Sequence, residues 1–191
     1  LVLGCQSHQR TPMNASTVLA IILNWRQPHL TIECVSTLQN STYKNLDILV
    51  IDNGSSDDSV EILQHNLPSA TILPLPHNLG FARGCNIGLR WAKEHKYKWT
   101  LLLNNDAFVA QDMLERLMNA TTENTGLLSP KIFYRAQPNY IWFAGAKQHP
   151  LLLEMRETGQ GETDGPKWQE TQEVEYLVGT GLLVNLTAVF Q

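Results

Sequence analysis

Four short aliphatic runs, TVLAIIL (17–23), LDILVID (46–52), ATILPL (70–75) and WTLLLNN (99–105), are separated by stretches of helical periodicity, and this alternation constrains the fold more than any other feature. Each run is apolar on both faces, as strands of a parallel sheet are when helices cover both of its sides. The intervening stretches supply such helices. Pro28 suits a first helical turn, after which Leu30, Cys34, Val35 and Leu38 share one face. Ser56 or Asp57 is placed to cap the next helix, which carries Val60, Ile62 and Leu63. Residues 82–95 and 111–121 complete the set, the latter with Met113, Leu114, Leu117 and Met118 on its apolar face. The order β-α-β-α-β-α-β-α predicts an α/β fold with a doubly wound, mostly parallel sheet.

Beyond Gly126 the character changes. GLLSPKIFY and YIWFAGA are strand-like, MRETGQGETDGPKWQETQ reads as a long polar surface loop, and EVEYLVGTGLLVN (173–185) returns to a strand pattern. At 191 residues the chain fits one domain, expected over residues 17–191 and preceded by a ragged extension, 1–16. The last residues, LLVNLTAVF, stop within an apolar pattern, so the domain is expected to be incomplete at its C-terminus.

Composition excludes several function classes. The net charge is −4 with no run of lysine or arginine, which argues against a nucleic-acid footprint or an anionic membrane surface and favours a small ligand. Cys5, Cys34 and Cys85 are odd in number and far apart, matching neither a disulfide framework nor a zinc site and pointing to a reducing, cytosolic setting. VLAIIL (18–23) is too short to span a bilayer. No GxSxG, HExxH or Cys-His nucleophile pattern occurs, so hydrolase readings lose support.

In open α/β sheets ligands bind at the carboxyl ends of the strands. The first strand ends in Asn24-Trp25, the second in Asp52-Asn53-Gly54-Ser55, the third leads to His77-Asn78-Leu79-Gly80 and the fourth ends in Asn104-Asn105-Asp106, so all four are expected to converge on one edge. Asp52 is placed to accept hydrogen bonds from a nucleobase imide or a ribose hydroxyl, or else DNGSSDD is a plain strand-to-helix turn. In NLGFARGCNIG (78–88) Gly80, Gly84 and Gly88 recur at every fourth position, so a helix packs closely on something. Arg83 at its start either neutralises a phosphate together with free helix N–H groups or is a solvated surface arginine. Asp106 either ligates a divalent cation otherwise held by phosphates and water, or caps the following helix.

Taken together, ILNW (22–25), ILVIDNGSSDDS (48–59), HNLGFARGCNIGL (77–89), WTLLLNNDAFV (99–109) and YLVGTGLLVN (176–185) resemble family 2 glycosyltransferases of the GT-A fold, in particular the rhamnosyltransferase-like branch that builds bacterial cell-surface glycans. The resemblance implies a nucleotide-diphosphate sugar lying across the carboxyl edge of the sheet, a divalent cation (Mg or Mn) bridging its phosphates, and a glycan or lipid-linked acceptor displacing the nucleotide with inversion. It implies that Asp52 contacts the base and that Asn24 and Trp25 line the nucleotide pocket. Asn78, Gly80, Arg83 and Asn86 would line its ribose or phosphate side, with Asn105 also facing the donor. Asp106, with Asn104, would hold the metal. Asn104 stands where the family's Asp-x-Asp motif has its first aspartate. Gly179-Thr180-Gly181 matches a small-residue turn before the acceptor site. The family's general base, in a Glu-Asp pair some way beyond that turn, has no counterpart here, because no Glu-Asp dipeptide occurs in the chain. The implied setting is cytoplasmic, at the inner face of the membrane, with peripheral membrane association of a longer parent enzyme. A non-catalytic sugar-nucleotide-binding module is the rival reading. A nucleotidyltransferase is disfavoured because NWRQPHL replaces the glycine-rich basic loop expected after the first strand.

Overall fold

The computed structural model describes residues 16–149 and 153–190; the extension before Ser16, with Cys5, lies outside the described residues. The four aliphatic runs form β1 (Val18–Asn24), β2 (Leu46–Asp52), β3 (Thr71–Pro74) and β4 (Trp99–Asn104). They alternate with α1 (Pro28–Gln39), α2 (Ser59–Asn66) and α3 (Phe81–Glu94), and β4 is followed by α4 (Met113–Ala120). After these come β5 (Leu127–Leu128), β6 (Ile132–Tyr134), β7 (Gln137–Phe143), β8 (Ala146–Gln148), β9 (Met155–Glu157), β10 (Leu182–Asn185) and the short α5 (Leu186–Val189).

The main sheet has the order β3-β2-β1-β4-β10-β5. Its first four strands are parallel and β10 runs antiparallel to β4, so the mixed α/β, mostly parallel architecture expected from the alternation is present. Strand side chains alternate between two apolar layers. Val18, Ala20 and Ile22 face α1, α2 and α4, packing with Cys34, Val35, Leu38, Leu63, Leu114 and Leu117. Leu19 and Ile21 face the other way with Leu49, Ile51 and Ala92 of α3. Helices therefore cover both sides, and each fully buried Leu or Ile contributes roughly 1.5–3 kcal/mol.

α3 approaches the sheet closely because Gly84 and Gly88 face it. A Cβ at Gly84 would stand 2.6 Å from Leu23 Cδ1, and one at Gly88 2.6 Å from Ile21 Cγ2 and 2.9 Å from Ile51 Cδ1. β3 is the edge strand, and its last residue, Pro74, lacks the N–H that an inner strand would need.

Several expectations are corrected. Neither Ser56 nor Asp57 is the N-cap of α2, which starts at Ser59 behind Asp58; Asp57 Oδ1 instead accepts the Ser59 N–H at 2.9 Å. On α1, Thr31 rather than Leu30 completes the buried stripe. GLLSPKIFY is split by Ser129-Pro130 into β5 and β6, and YIWFAGA breaks at Gly145 into β7 and β8. The polar stretch 155–172 is more than a loop: β9 pairs with β8, and a 3-10 turn at Pro166–Trp168 buries Trp168 beside Gly159. Of 173–185 only the last four residues are strand. No helix among the described residues is long and apolar enough to cross a membrane.

Candidate functional site

Strand register sets the site. Asn24 pairs with Asp52, Leu23 with Asn104, and Asp52 with Pro74, so the polar ends of β1, β2 and β4 lie side by side where the chain leaves the sheet. Four loops leave that edge, and hydrogen bonds tie them together.

Asn24 is fully buried and Asp52 is 2% exposed. Asn24 Nδ2 donates to Asp52 Oδ2 at 2.8 Å, and Ser55 donates to the same carboxylate through Oγ (2.5 Å) and through its backbone N–H to Oδ1 (3.0 Å). A buried carboxylate costs several kcal/mol unless its oxygens are satisfied, and these donors satisfy it. DNGS is thus a turn and also a buried acceptor site. Arg26, left-handed at φ 55°, donates its N–H to Ser55 Oγ at 2.9 Å and its Nε–H to Ser55 O at 3.0 Å, which locks the first loop on the second. Trp25 is exposed beside it, with the Arg26 guanidinium 5.3 Å from its ring centre.

The loop before α3 is held by Asn53. Its Nδ2 donates to Asn78 Oδ1 at 3.1 Å, its Oδ1 accepts the Leu79 N–H at 3.0 Å, and Asn78 Oδ1 also accepts the Gly80 N–H at 2.8 Å. Gly54, at φ +68°, lies against this loop: a Cβ there would come 2.3 Å from the His77 carbonyl carbon, so only glycine fits. Asn78, Gly80, Arg83 and Asn86 are all exposed around the start of α3, and among the described residues Arg83 has no ion pair.

At the end of β4, Asn104 Nδ2 donates to Thr180 Oγ1 at 2.9 Å, so the Gly179-Thr180-Gly181 turn is tied to this edge, with Gly179 close to the exposed ring of Phe81. Asn104 Oδ1 is buried without a partner. Asn105 Nδ2 reaches Thr31 Oγ1 at 3.3 Å, and Thr31 in turn donates to Asn24 Oδ1 at 2.8 Å. Asp106 is exposed and caps no helix, since α4 begins at Met113 behind Asp112; the cap reading is overturned by those intervening residues. Cys34 lies close by, its Sγ–H directed at Asn104 O (3.4 Å), and burial first, then the Asp106 carboxylate, pushes its thiol up to about 12. Such a thiol is no nucleophile. Cys85 is likewise buried, free and raised by burial.

Among the described residues no cluster of three or more His, Cys, Asp or Glu side chains could hold a metal unaided. The donor set at the β4 end is one carboxylate with amide oxygens, of which Asn104 Oδ1 is unsatisfied. Hard oxygen donors of this kind fit Mg²⁺ or Mn²⁺ when phosphates and water complete the shell. Thus the structure brings together Asn24, Asp52, Asn104, Asn105 and Asp106 along one edge and sets Asn78, Gly80, Arg83 and Asn86 around the neighbouring loop. Thr31, Asn53 and Ser55 were not singled out from the sequence. Thr31 carried a signal, being a hydroxyl on the otherwise apolar stripe of α1.

The family model described as "Glycosyl transferase family 2" matches residues 20–169. An uncharacterized glycosyltransferase of Haemophilus influenzae is 34% identical over 88 residues, covering 44% of this chain and 34% of the relative. The N-acetylglucosaminyl-diphospho-decaprenol L-rhamnosyltransferase of Mycobacterium tuberculosis is 25% identical over 193 residues, covering 86% of this chain and 59% of the relative. The chain therefore spans only about a third to three fifths of the length of these relatives. Among solved structures, a mannosyltransferase from Pyrobaculum calidifontis in complex with GDP-Man and Mn²⁺ superposes with a TM-score of 0.55 at 19% identity, covering 64% of this chain and 37% of that one, a likeness of fold.

Proposed function

The chain belongs to glycosyltransferase family 2, and from that premise we propose that it forms the donor-binding part of an inverting transferase that takes a nucleotide-diphosphate sugar. The observation that carries this reading is the alignment of polar strand ends, with the buried Asp52 carboxylate at one end of the edge and the exposed Asp106 carboxylate at the other. The M. tuberculosis relative is named as a rhamnosyltransferase, and the P. calidifontis fold neighbour holds GDP-Man with Mn²⁺; both support a sugar-nucleotide donor and a divalent cation.

In this proposal Asp52 accepts from the base while Asn24 and Trp25 line the nucleotide pocket. Asn78, Gly80, Arg83 and Asn86 line its ribose and phosphate side, where the Arg83 guanidinium and the N-terminus of α3 both favour negative charge. Asp106 and the unsatisfied Asn104 oxygen would hold the cation, which when bound offsets the charge developing on the leaving diphosphate. A hexose or 6-deoxyhexose such as rhamnose is transferred, with inversion, to a glycan or lipid-linked acceptor approaching past Gly179-Thr180-Gly181. The setting is the cytoplasmic face of a membrane, during cell-surface polysaccharide synthesis. The general base is assigned to chain beyond Gln191, because residues 1–191 contain no Glu-Asp pair. Asn104 in place of a carboxylate favours a second reading, a sugar-nucleotide-binding module without transfer.

Calorimetric titration with UDP-, GDP- and dTDP-sugars, with and without Mn²⁺, tests the donor reading. One donor class is expected to bind, and binding of metal and nucleotide is expected to be cooperative, because each completes the other's site. Asp106→Asn is expected to abolish the Mn²⁺-dependent gain while leaving metal-free affinity nearly intact. Metal-independent binding by the wild type would sink the cation assignment, and binding without transfer by the full-length protein would favour the module.

A further inference from the structure

Thr31 supplies the one hydroxyl on the buried face of α1, and its position sets a direction of hydrogen bonding across the site. A carboxylate only accepts, so the 2.8 Å contact at Asp52 Oδ2 makes Nδ2 the end of the Asn24 amide that points there. Asn24 Oδ1 is then the end facing Thr31 Oγ1 at 2.8 Å, and the hydroxyl's single proton goes to it. The competing acceptor, Gln27 O, is farther at 3.2 Å, and choosing it would leave the fully buried Asn24 oxygen unpaired. Having given its proton, Thr31 Oγ1 can only accept, and Asn105 Nδ2 stands 3.3 Å away with Gln27 Oε1 at 3.5 Å as its other partner. Both contacts take the N–H end of Asn105 inward, and no hydrogen bond engages Asn105 Oδ1 among the described residues.

We propose that Thr31 is a positioning residue of the donor site: its hydroxyl passes the orientation imposed by the Asp52 carboxylate through Asn24 to Asn105, which therefore presents an oxygen, not an N–H, beside Asp106 to the cation and diphosphate. This rests on the reading of Asp106 given above. The consequence is physical rather than topological. An amide oxygen is a ligand for a hard cation, whereas an amide N–H turned the same way would repel it. The buried carboxylate at the nucleotide end thus governs the electrostatics at the cation end through three side chains, without touching either ligand there.

Thr31→Val keeps the shape and removes the hydroxyl; Thr31→Ser restores it. Using the nucleoside diphosphate selected by titration, Thr31→Val is expected to lower the Mn²⁺-dependent gain in affinity about 10-fold, the lower end of the range for losing a partner that orients a metal ligand. Thr31→Ser should recover it to within about twofold. Loss of packing alone would lower the melting temperature of Thr31→Val without changing that gain, and an unchanged gain overturns the proposal. A second readout needs no ligand: the side-chain amide resonances of Asn24 and Asn105 in ¹⁵N–¹H spectra should both shift in Thr31→Val and return in Thr31→Ser. If the wild type shows no Mn²⁺-dependent gain, the cation reading at Asp106 has failed, and the amide spectra decide. Asn105 resonances unmoved in Thr31→Val then overturn the proposal, and a shift reversed by serine supports it.

Discussion

Asp52 shows how one residue serves structure and chemistry together. Its carboxylate accepts from Asn24 Nδ2, Ser55 Oγ and the Ser55 N–H while 2% exposed, so it joins the first two loops before any ligand arrives. Asp52→Asn replaces one acceptor oxygen by donors that face donors already present. Leaving a buried polar group unpaired costs about 1–3 kcal/mol, and urea unfolding should register a loss of that size. If the carboxylate also reads the base, nucleotide binding to the folded variant should weaken by about 1.5–3 kcal/mol, the range for a charged hydrogen bond. Equal affinity at reduced stability would confine Asp52 to the scaffold. At this scale the sequence was informative where a polar residue ended an aliphatic run, as at Asn24, Asp52 and Asn104. It was silent on Ser55 and Asn53, because their roles depend on which backbone N–H or carboxylate lies across the edge.

Among the elements, α3 couples packing to the site most directly. Gly84 and Gly88 let it lie against β1 and β2, and the same helix carries Arg83 and Asn86 on its exposed side. The four-residue glycine spacing announced a close approach; the partners, Leu23, Ile21 and Ile51, became known only from the sheet register. Gly88→Ala puts a Cβ within 2.6 Å of Ile21 Cγ2 and 2.9 Å of Ile51 Cδ1, contacts that must be relieved by moving side chains or the helix. Overpacking of this kind costs about 1–3 kcal/mol, read as a lowered denaturation midpoint. Nucleotide affinity should fall with it if the helix start moves, and a variant as stable as the wild type would show that the interface yields freely. α4 gives the contrary lesson: its apolar pattern was legible, but its start at Met113 was not, and that boundary removes Asp106 from capping.

For the molecule as a whole, two buried or bonded groups link stability to alkaline pH. Cys34 is pushed from 9.0 to about 12 by burial and then by the Asp106 carboxylate. Tyr97 is raised from 10.0 to about 12 by burial and its hydrogen bond to Asp47. A raised folded value means that the native state keeps protons the unfolded chain releases. The contribution is therefore complete below about pH 9 and is lost as pH rises toward 12. Urea midpoints should fall across that window, and Cys34→Ala should flatten the decline by up to about 1.4 kcal/mol per pH unit, one proton's worth. An identical slope in the variant would show that Cys34 ionises freely in the native state. Sequence alone determined the α/β class, the four parallel strands and the edge at which polar residues gather, because hydrophobic periodicity and strand-end polarity are local properties that every neighbouring residue reinforces. Only the tertiary structure decided that Asn24 faces Asp52, that Thr31 joins Asn24 to Asn105, that Thr180 meets Asn104, and that 155–172 buries Trp168. Those pairings join residues far apart in the chain, and their partners are set by strand register and helix placement, which no local pattern encodes.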